Sequence, residues 1–306
     1  MYKTLYFEIS GKCNARCLWC PTGRANLSGI ETGSYIPLET FKRALNYLLD
    51  NKIIDKRVSI GLYNWGEPLL NPNFKEIAGY LRTEGINWSF STNASRRLLF
   101  SDPDILRSLE VVIFSMPGFS QSSYNAIHGF KLESVKRNIE AMADNFRSCG
   151  FTGTLFLYFH VYAFNRHELK AAKTFADDNG LILHAYYAYF NGVQATLNFL
   201  DGTLPPMLKT QAPRMLYLNY FADLKNEVPC DLVCPQHHEY LTIDEECNVL
   251  TCCALEKGHQ DYVIGNLFDL TLTEIHKKKT TQPICRICLK RGIPYIYDHL
   301  PSPYKG

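Results

Sequence analysis

Apolar and polar positions in the first 190 residues follow a repeating order of short strands and amphipathic helices. Leu5, Phe7 and Ile9 share one face of a predicted first strand, and Phe41, Leu45 and other apolar residues share one face of the helix after it. The pattern predicts strands at 2–9, 57–63, 86–91, 111–115, 154–162 and 181–185, with helices at about 37–49, 72–82, 132–147 and 167–178. Since helices separate the strands, we expect parallel βαβ units and an α/β fold.

This rhythm stops after residue 190. The segment 191–227 contains Pro205-Pro206 and an aromatic stretch at 215–221, and we interpret it as a connector that packs against the first domain. Residues 238–251 have the pattern of a β-hairpin, with apolar segments on both sides of a polar turn. We therefore divide the chain into a domain at 1–190, a connector at 191–227 and a C-terminal domain at 228–306.

Composition and charge narrow the class of protein. The chain has 306 residues, 46% of them hydrophobic, and a formal net charge of +2, so charge suggests neither a nucleic acid nor a membrane surface as partner. No apolar run approaches the roughly 20 residues that span a bilayer. The N-terminus lacks a secretion signal, which predicts a cytoplasmic protein. Eleven cysteines in such a chain are expected to bind metal rather than to form disulfides.

Three of these cysteines lie on one loop directly after the first strand. Cys13, Cys17 and Cys20 have the spacing C-x3-C-x2-C. Three thiolates on one loop can hold three corners of a cubic iron–sulfur cluster, which leaves one iron open for chemistry. Structural zinc sites are instead closed by four ligands.

With Trp19 before the last cysteine, the loop resembles the signature of the radical S-adenosylmethionine (SAM) superfamily. The resemblance implies a partial (β/α)6 barrel over roughly residues 1–190 and a [4Fe–4S] cluster whose open iron binds SAM. It also implies that a 5′-deoxyadenosyl radical abstracts hydrogen from the substrate. A protein partner such as a flavodoxin or ferredoxin would supply the electron, and the side chain of Trp19 would lie near the adenine.

Residues at later strand ends extend the resemblance. Gly66-Glu67-Pro68 resembles the family's G-G-E-P motif, although Trp65 stands where the family has the first glycine. Taken singly, Ser115 and Asn165 are explained by turn chemistry, but four motifs at successive strand ends, in the family's order, are not. The resemblance implies contacts to SAM from Trp19, Gly66, Glu67, Pro68, Thr92, Asn93, Ser115 and Asn165.

Seven cysteines follow residue 228. Cys234, Cys252, Cys285 and Cys288, with the sequence I-G-N-L at 264–267, resemble the SPASM/twitch extension of radical SAM enzymes. Because no cysteine follows Cys288, the resemblance implies one auxiliary [4Fe–4S] cluster with these four ligands, which is the twitch form. A zinc ribbon is the alternative, and Cys230 could replace Cys234 as a ligand.

Two cysteines near these ligands need a separate interpretation. Cys247 stands in a turn where the SPASM/twitch pattern has glycine, so we consider it a candidate hydrogen donor to a substrate radical, with a tolerated substitution as the alternative. Cys253 adjoins Cys252, and we interpret it as a packing residue. The aromatic and histidine residues at 156–162 and 184–190, which include His160 and His184, are likewise interpreted as core. The alternative is that their hydroxyls and imidazoles bind substrate hydroxyls at the mouth of the barrel.

The reaction and the substrate follow from the family less directly. Cys247 favours epimerisation of a small polar molecule, such as a sugar, aminosugar or cyclitol. The alternative is dehydrogenation of an alcohol, with the auxiliary cluster as electron acceptor. The short segment before Cys13 leaves no room for a leader-recognition domain, which argues against a peptide substrate. A peptide maturase and a non-catalytic iron–sulfur electron carrier remain alternatives.

Overall fold

The computed structural model describes residues 1–190, 192–256 and 260–304. Its strands are β1 (Thr4–Phe7), β2 (Ser59–Gly61), β3 (Asn87–Thr92), β4 (Leu109–Ser115), β5 (Thr154–Val161), β6 (Ile182–Tyr187), β7 (Tyr240–Ile243), β8 (Asn248–Leu250) and β9 (Val263–Asn266). Its α-helices are α1 (Pro21–Leu27), α2 (Leu38–Asp50), α3 (Phe74–Glu84), α4 (Gln121–Ile127), α5 (Leu132–Ser148), α6 (Leu169–Asp178), α7 (Val193–Leu200), α8 (Pro206–Lys209), α9 (Phe221–Leu224), α10 (Leu272–Thr281), α11 (Pro283–Lys290) and α12 (Ile293–Asp298).

The strands form one sheet in the order β6-β5-β4-β3-β2-β1-β7-β8-β9. The pairs from β1 to β6 are all parallel, and helices connect them, so the predicted α/β fold of the partial-barrel type is confirmed. Residues 21–27, for which the sequence pattern predicts neither a strand nor a helix, form α1, since Pro21 is favourable in the first turn of a helix.

The predicted β-hairpin is also present, and it continues the barrel sheet. β7 pairs in parallel with β1, whereas β8 pairs antiparallel with β7 and with β9. Main-chain hydrogen bonds therefore attach the C-terminal segment to the edge of the barrel next to the first cysteine loop. The domain boundaries at 190 and 227 stay a prediction.

The two faces of the barrel strands differ in character. On β1, the buried Leu5 and Phe7 face the helices, with the rings of Phe7 and Phe41 only 4.9 Å apart. Tyr6 lies on the opposite face, where its ring contacts the ring of Tyr63 at 5.7 Å. The strand period of two therefore gives the barrel an apolar outer face and an inner face rich in tyrosine.

The same alternation holds on β5 and β6 and corrects one interpretation. Leu155 and Leu157 belong to the outer core, whereas Tyr158 and His160 alternate with them and face inward. The Tyr158 ring contacts His184 at 4.6 Å. These aromatic and histidine side chains line the inside of the barrel, so interpreting them as core was wrong for the inward-facing half.

No helix among the described residues is long and apolar enough to cross a membrane.

Candidate active site

The first cysteine loop joins β1 to α1 and is held by one asparagine. The Asn26 side chain donates hydrogen bonds to the carbonyl oxygens of Cys13 and Ala15, each at 2.7 Å. Burial raises the pKa of the Cys13 thiol to about 12, and the charges of Glu67 and Cys20 add to this rise. The pKa of Cys17 is raised well above its usual value by burial and by the other two cysteines. Three neighbouring buried thiols fit an iron–sulfur cluster, because bound iron offsets the charge of the thiolates.

The Gly66-Glu67-Pro68 motif packs directly on this loop. The backbone N–H of Glu67 donates to the carbonyl of Lys12 at 2.8 Å. A Cβ on Gly66 would lie 1.8 Å from the carbonyl oxygen of Ser10, so only glycine fits there. Trp65 occupies the other glycine position of the family motif, and its indole Nε1 donates to the carbonyl of Leu255 at 3.1 Å.

Glu67 connects three of the predicted motifs. Its buried carboxylate accepts hydrogen bonds from Thr92 Oγ1 and from the backbone N–H of Asn93, both at 2.7 Å. The Asn93 Nδ2 lies 3.8 Å from the sulfur of Cys13. The structure thus brings together residues that the sequence placed at separate strand ends. Burial raises the pKa of Glu67 to about 7, although these hydrogen bonds oppose the rise.

This pKa predicts a pH dependence of stability. Without SAM, folding should be least favourable where the buried carboxyl must ionise, so wild-type stability falls as pH rises from 4.5 through about 7. The loss is up to about 3 kcal/mol. Glu67→Gln should lack this pH slope, whatever its absolute stability. Thermal melts of the cluster-loaded protein at pH 5 to 8 would measure it, and equal slopes for variant and wild type would contradict the assignment.

A cavity opens beside the cysteine loop at the carboxyl ends of β4, β5 and β6. Its lining includes Cys17, Trp19, Cys20, Ser115, His160 and Tyr186. The Trp19 and Tyr162 rings lie 4.5 Å apart, and the hydroxyl of Tyr186 lies 2.6 Å from Nε2 of His160. Two of the predicted SAM contacts, Trp19 and Ser115, therefore reach one cavity.

Two histidines of this cavity, His128 and His160, were not among the predicted site residues. Burial lowers the pKa of His160 to about 4 and that of His128 to about 3, so both imidazoles are neutral near pH 7. Nδ1 of His128 is buried without a hydrogen-bond partner among the described residues, which fits a cavity that takes a polar ligand. The alternation of residues along β5 indicates that His160 shares a face with Tyr158, whereas nothing in the sequence distinguishes His128.

The six other predicted SAM contacts do not line this cavity. Gly66, Glu67, Thr92 and Asn93 are grouped beside the cysteine loop, which leaves Asn165 and Pro68. The fully buried Asn165 donates from Nδ2 to the carbonyls of Pro117 and His160, at 2.7 and 2.9 Å. Both of its amide hydrogens are therefore used to hold the ends of two strands together. Pro68 is buried at the start of a short 3-10 helix, Pro68–Leu70.

The four predicted auxiliary ligands line one apolar cavity in the C-terminal segment. Cys234, Cys252, Cys285 and Cys288 meet there with Val193 and Leu255, while Cys230 is exposed elsewhere. Burial raises the pKa of Cys252 to about 11 and that of Cys285 to about 12. No three Cys, His, Asp or Glu residues in the described part of the chain converge closely enough to hold a single metal ion.

Cys247 and Cys253 occupy different environments. Cys247 is 1% exposed and belongs to the core on the outer face of the sheet. Its φ of +63° explains why glycine is favourable at this turn position. Burial raises its pKa to about 11, with Asp244 adding to the rise and Arg43 of α2 opposing it. Cys247 lines neither cavity, and its role as hydrogen donor stays a prediction.

Cys253 lies next to the four-cysteine cavity, since its neighbour Cys252 lines that cavity. Its thiol donates to Oε1 of Gln236 at 3.7 Å, and Gln236 lines the four-cysteine cavity. On the other side, the charge of Cys253 contributes to the raised pKa of the inward-facing Tyr6 and Tyr63, after burial. The segment after it is anchored at the barrel mouth by Trp65 and by an ion pair between Arg24 of α1 and Glu256 at 3.4 Å.

Comparison with known proteins identifies the family. The model of the Radical SAM superfamily matches residues 7–176, more than half of the chain. No curated protein sequence matches. The solved structure of native anSMEcpe with bound AdoMet is similar, with a TM-score of 0.58, 13% identity, and coverage of 91% of this chain and 82% of that chain.

A second similar structure is that of Streptococcus suis SuiB. Its TM-score is 0.59 at 14% identity, with coverage of 90% of this chain and 65% of that chain. At such identities these likenesses show the fold. The family model covers the cysteine loop and every predicted SAM-contact position from Trp19 to Asn165. The chain belongs to the radical SAM superfamily, whose members use a [4Fe–4S] cluster and SAM.

Proposed function

We propose that this protein epimerises a small aminated, polyhydroxylated ring, such as an aminosugar or aminocyclitol, and that Cys253 returns hydrogen to the substrate carbon. One observation carries the proposal: Cys253 stands between Cys252, which lines the four-cysteine cavity, and Ala254, which lines a cavity at the open edge of the barrel. A hydrogen donor must face the substrate, and the residue next to Cys253 lines the space that we propose the substrate enters. The outward-facing Cys247 lacks that position.

The proposed site residues divide by role. Cys13, Cys17 and Cys20 would hold the cluster that binds SAM, with Gly66, Glu67, Thr92, Asn93, Ser115 and Trp19 around SAM. Cys234, Cys252, Cys285 and Cys288 would hold an auxiliary [4Fe–4S] cluster. When bound, the first cluster and SAM supply a 5′-deoxyadenosyl radical that takes hydrogen from carbon. A flavodoxin- or ferredoxin-like partner would supply electrons.

In the proposed epimerisation, the thiol of Cys253 gives one hydrogen atom to the substrate carbon. One C–H bond of the substrate breaks when its hydrogen passes to the deoxyadenosyl carbon. The Cys253 S–H bond then breaks, and a new C–H bond forms on the opposite face of the ring. The sulfur of Cys253 is left as a thiyl radical, which needs one electron and one proton to return to the thiol. Its neighbour Cys252 would help hold the auxiliary cluster, which when bound would supply that electron.

A third cavity, at the open edge of the barrel, supports the proposed substrate class. This cavity of about 640 Å³ is lined by, among others, Tyr158, His184, Tyr186, Tyr189, Tyr297 and Asp298. Tyr186 and Tyr189 also line the cavity beside the cysteine loop, so the two spaces are neighbours. Aromatic faces and hydroxyls suit a polyhydroxylated ring. Asp298 is the one carboxylate, and no lysine or arginine lines the cavity among the described residues, which favours an amine and disfavours a phosphate.

Asp298→Asn should therefore raise KM for an aminated substrate by about fivefold, since an exposed ion pair contributes up to about 1 kcal/mol. The kcat should change little, because Asp298 would bind the amine and not the reacting carbon. Steady-state kinetics with an aminated ring and its deaminated analogue would test this. The analogue is the control, and an equal rise in KM for both would contradict a role in amine binding.

Oxidation of an alcohol carbon is the second candidate, and one observation favours it. The hydrogen-bonded pair of His160 and Tyr186 lies in the cavity beside the cysteine loop. A neutral imidazole there could accept the proton that a hydroxyl group loses when its carbon is oxidised. In that reaction the auxiliary cluster would take the electron, and Cys253 would not be needed.

The deciding experiment is anaerobic turnover in D2O with SAM, a reductant and a pool of aminosugars and cyclitols. Mass spectrometry of the products distinguishes the candidates. One additional deuterium on carbon is expected for epimerisation, since the Cys253 thiol exchanges with solvent. A product lighter by two hydrogens would show oxidation instead. Turnover of a peptide but of no ring compound would make the protein a peptide maturase, and iron–sulfur redox activity without SAM cleavage would make it an electron carrier.

A further inference from the structure

One lysine is fully buried in the C-terminal segment. Lys279, on α10, is 0% exposed, whereas the preceding two lysines of the run 277–279 are exposed. Its Nζ donates to the carbonyl of Tyr240 at 2.6 Å and lies 5.0 Å from the centre of the Tyr2 ring. Among the described residues no carboxylate forms an ion pair with it. A buried ammonium with only a carbonyl and a ring for partners is costly, so a negative charge nearby would compensate it.

As iron ligands, the auxiliary cysteines would supply that negative charge, because they bind metal as thiolates. Burial lowers the pKa of Lys279 to about 8, and the charges of Cys252, Cys253, Cys234 and Cys285 act in the opposite direction. The helix that carries Lys279, α10, packs against the short 3-10 helix Pro235–His237, which directly follows Cys234. Tyr2, beneath the ammonium, also reaches the cavity wall, since its hydroxyl lies 3.5 Å from the carbonyl of His237.

We propose that Lys279 sets the reduction potential of the auxiliary cluster by stabilising its more negative, reduced state. The inference rests on the auxiliary cluster proposed above. Four thiolates around iron leave a net negative charge, and reduction adds one more. A fixed positive charge in a low-dielectric surrounding favours the reduced form. The consequence for function is that an electron is held close to Cys253, where the thiyl radical must be reduced after each turnover.

The test isolates the auxiliary cluster and measures its potential. In the full chain, Cys13, Cys17 and Cys20 are changed to Ala, which leaves the auxiliary cysteines. Redox titration followed by electron paramagnetic resonance then gives the midpoint potential with Lys279, with Lys279→Met and with Lys279→Gln. We expect both changes to lower the potential by about 59 mV, a tenfold change in the equilibrium constant of a one-electron couple.

Lys278→Met is the matched control. Lys278 is the neighbour on the same helix and also donates to a backbone carbonyl, that of Ile264 at 2.7 Å, but it is exposed and is not among the charges that shift the pKa of the auxiliary thiols. Its removal should leave the potential unchanged. Lys279→Arg keeps the charge and should keep the potential close to that of the parent.

The possible outcomes distinguish the role of Lys279 from the presence of the auxiliary cluster. If the triple-alanine parent binds no iron–sulfur cluster, the auxiliary cluster itself is wrong. If the parent carries four irons and the Lys279→Met potential equals that of the Lys278→Met control, only the role of Lys279 is overturned. The Lys279→Met and Lys279→Gln variants could fail to retain the cluster. In that case, a cluster retained by Lys279→Arg supports charge compensation. If Lys279→Arg also loses the cluster while all three variants keep native circular dichroism, charge compensation by Lys279 is overturned.

Discussion

Replacing Cys253 by alanine should abolish the epimerised product while SAM is still cleaved. A methyl group cannot donate hydrogen to a carbon radical, so we expect product formation to fall by at least about 100-fold, the lower end of what one positioned proton-transfer group contributes. Formation of 5′-deoxyadenosine should continue, because the first cluster loop and the SAM motifs are untouched. The measurement is anaerobic turnover in D2O with both products quantified by mass spectrometry.

Cys247→Ala is the matched control for this prediction. Both residues are buried thiols of the same hairpin region, but Cys247 faces α2 on the outer side of the sheet. Its replacement should leave deuterium incorporation within about twofold of the wild type, as is usual for changes that touch no substrate. If Cys247→Ala loses the product and Cys253→Ala retains it, the sequence-based assignment of Cys247 is right and the assignment of Cys253 is wrong.

The difference between these two cysteines shows where sequence reasoning ends. The C-x3-C-x2-C loop and the order of strands are local patterns, so both could be predicted. The direction of Cys247 depends on the parallel pairing of β7 with β1, which joins residues more than 200 positions apart. In the sequence, the only feature that distinguished Cys247 was its place where the SPASM/twitch pattern has glycine. In the structure it reflects a positive φ at a turn and not a position beside the substrate.

For a related reason, the sequence did not show which strand residues face the inside of the barrel. Alternation along β5 shows that Tyr158 and His160 share a face, but it does not tell which face is inside. That assignment needs the helices to cover Leu155 and Leu157, which is a property of the whole sheet. The burial of Lys279 was still harder to predict from the sequence. A run of three lysines is normally exposed, and only the packing of α10 on Tyr2 and Tyr240 buries the last of them.

Asn165 shows a different limit of the sequence. Its place after a strand matched the family order, and the sequence could not exclude a contact to SAM. The structure uses its amide to join the loop after β4 to the end of β5. An asparagine can serve a turn or a ligand with the same hydrogen bonds. Only the positions of the neighbouring carbonyls decide between the two roles.

Cys17→Ala should eliminate SAM cleavage altogether. Cys17 is the central thiol of the first loop and also lines the cavity beside Trp19. Loss of an outer partner of a metal ligand already costs about 10–100-fold, so loss of the ligand itself should reduce 5′-deoxyadenosine formation by more than about 100-fold. Iron content should fall by about four atoms per chain, the content of one cubic cluster. Cys149→Ala is the control, because this thiol donates to the carbonyl of Phe100 away from both cavities.

The iron count gives this last experiment its discriminating power. If two clusters are present, Cys17→Ala should retain about four irons, held by Cys234, Cys252, Cys285 and Cys288, while SAM cleavage is lost. A variant without any iron would mean that the C-terminal cysteines hold no cluster of their own. A variant that retained about eight irons and still cleaved SAM would mean that Cys17 is not a ligand. The loop could then no longer be the site where SAM meets iron, because Cys13 and Cys20 alone leave two irons open.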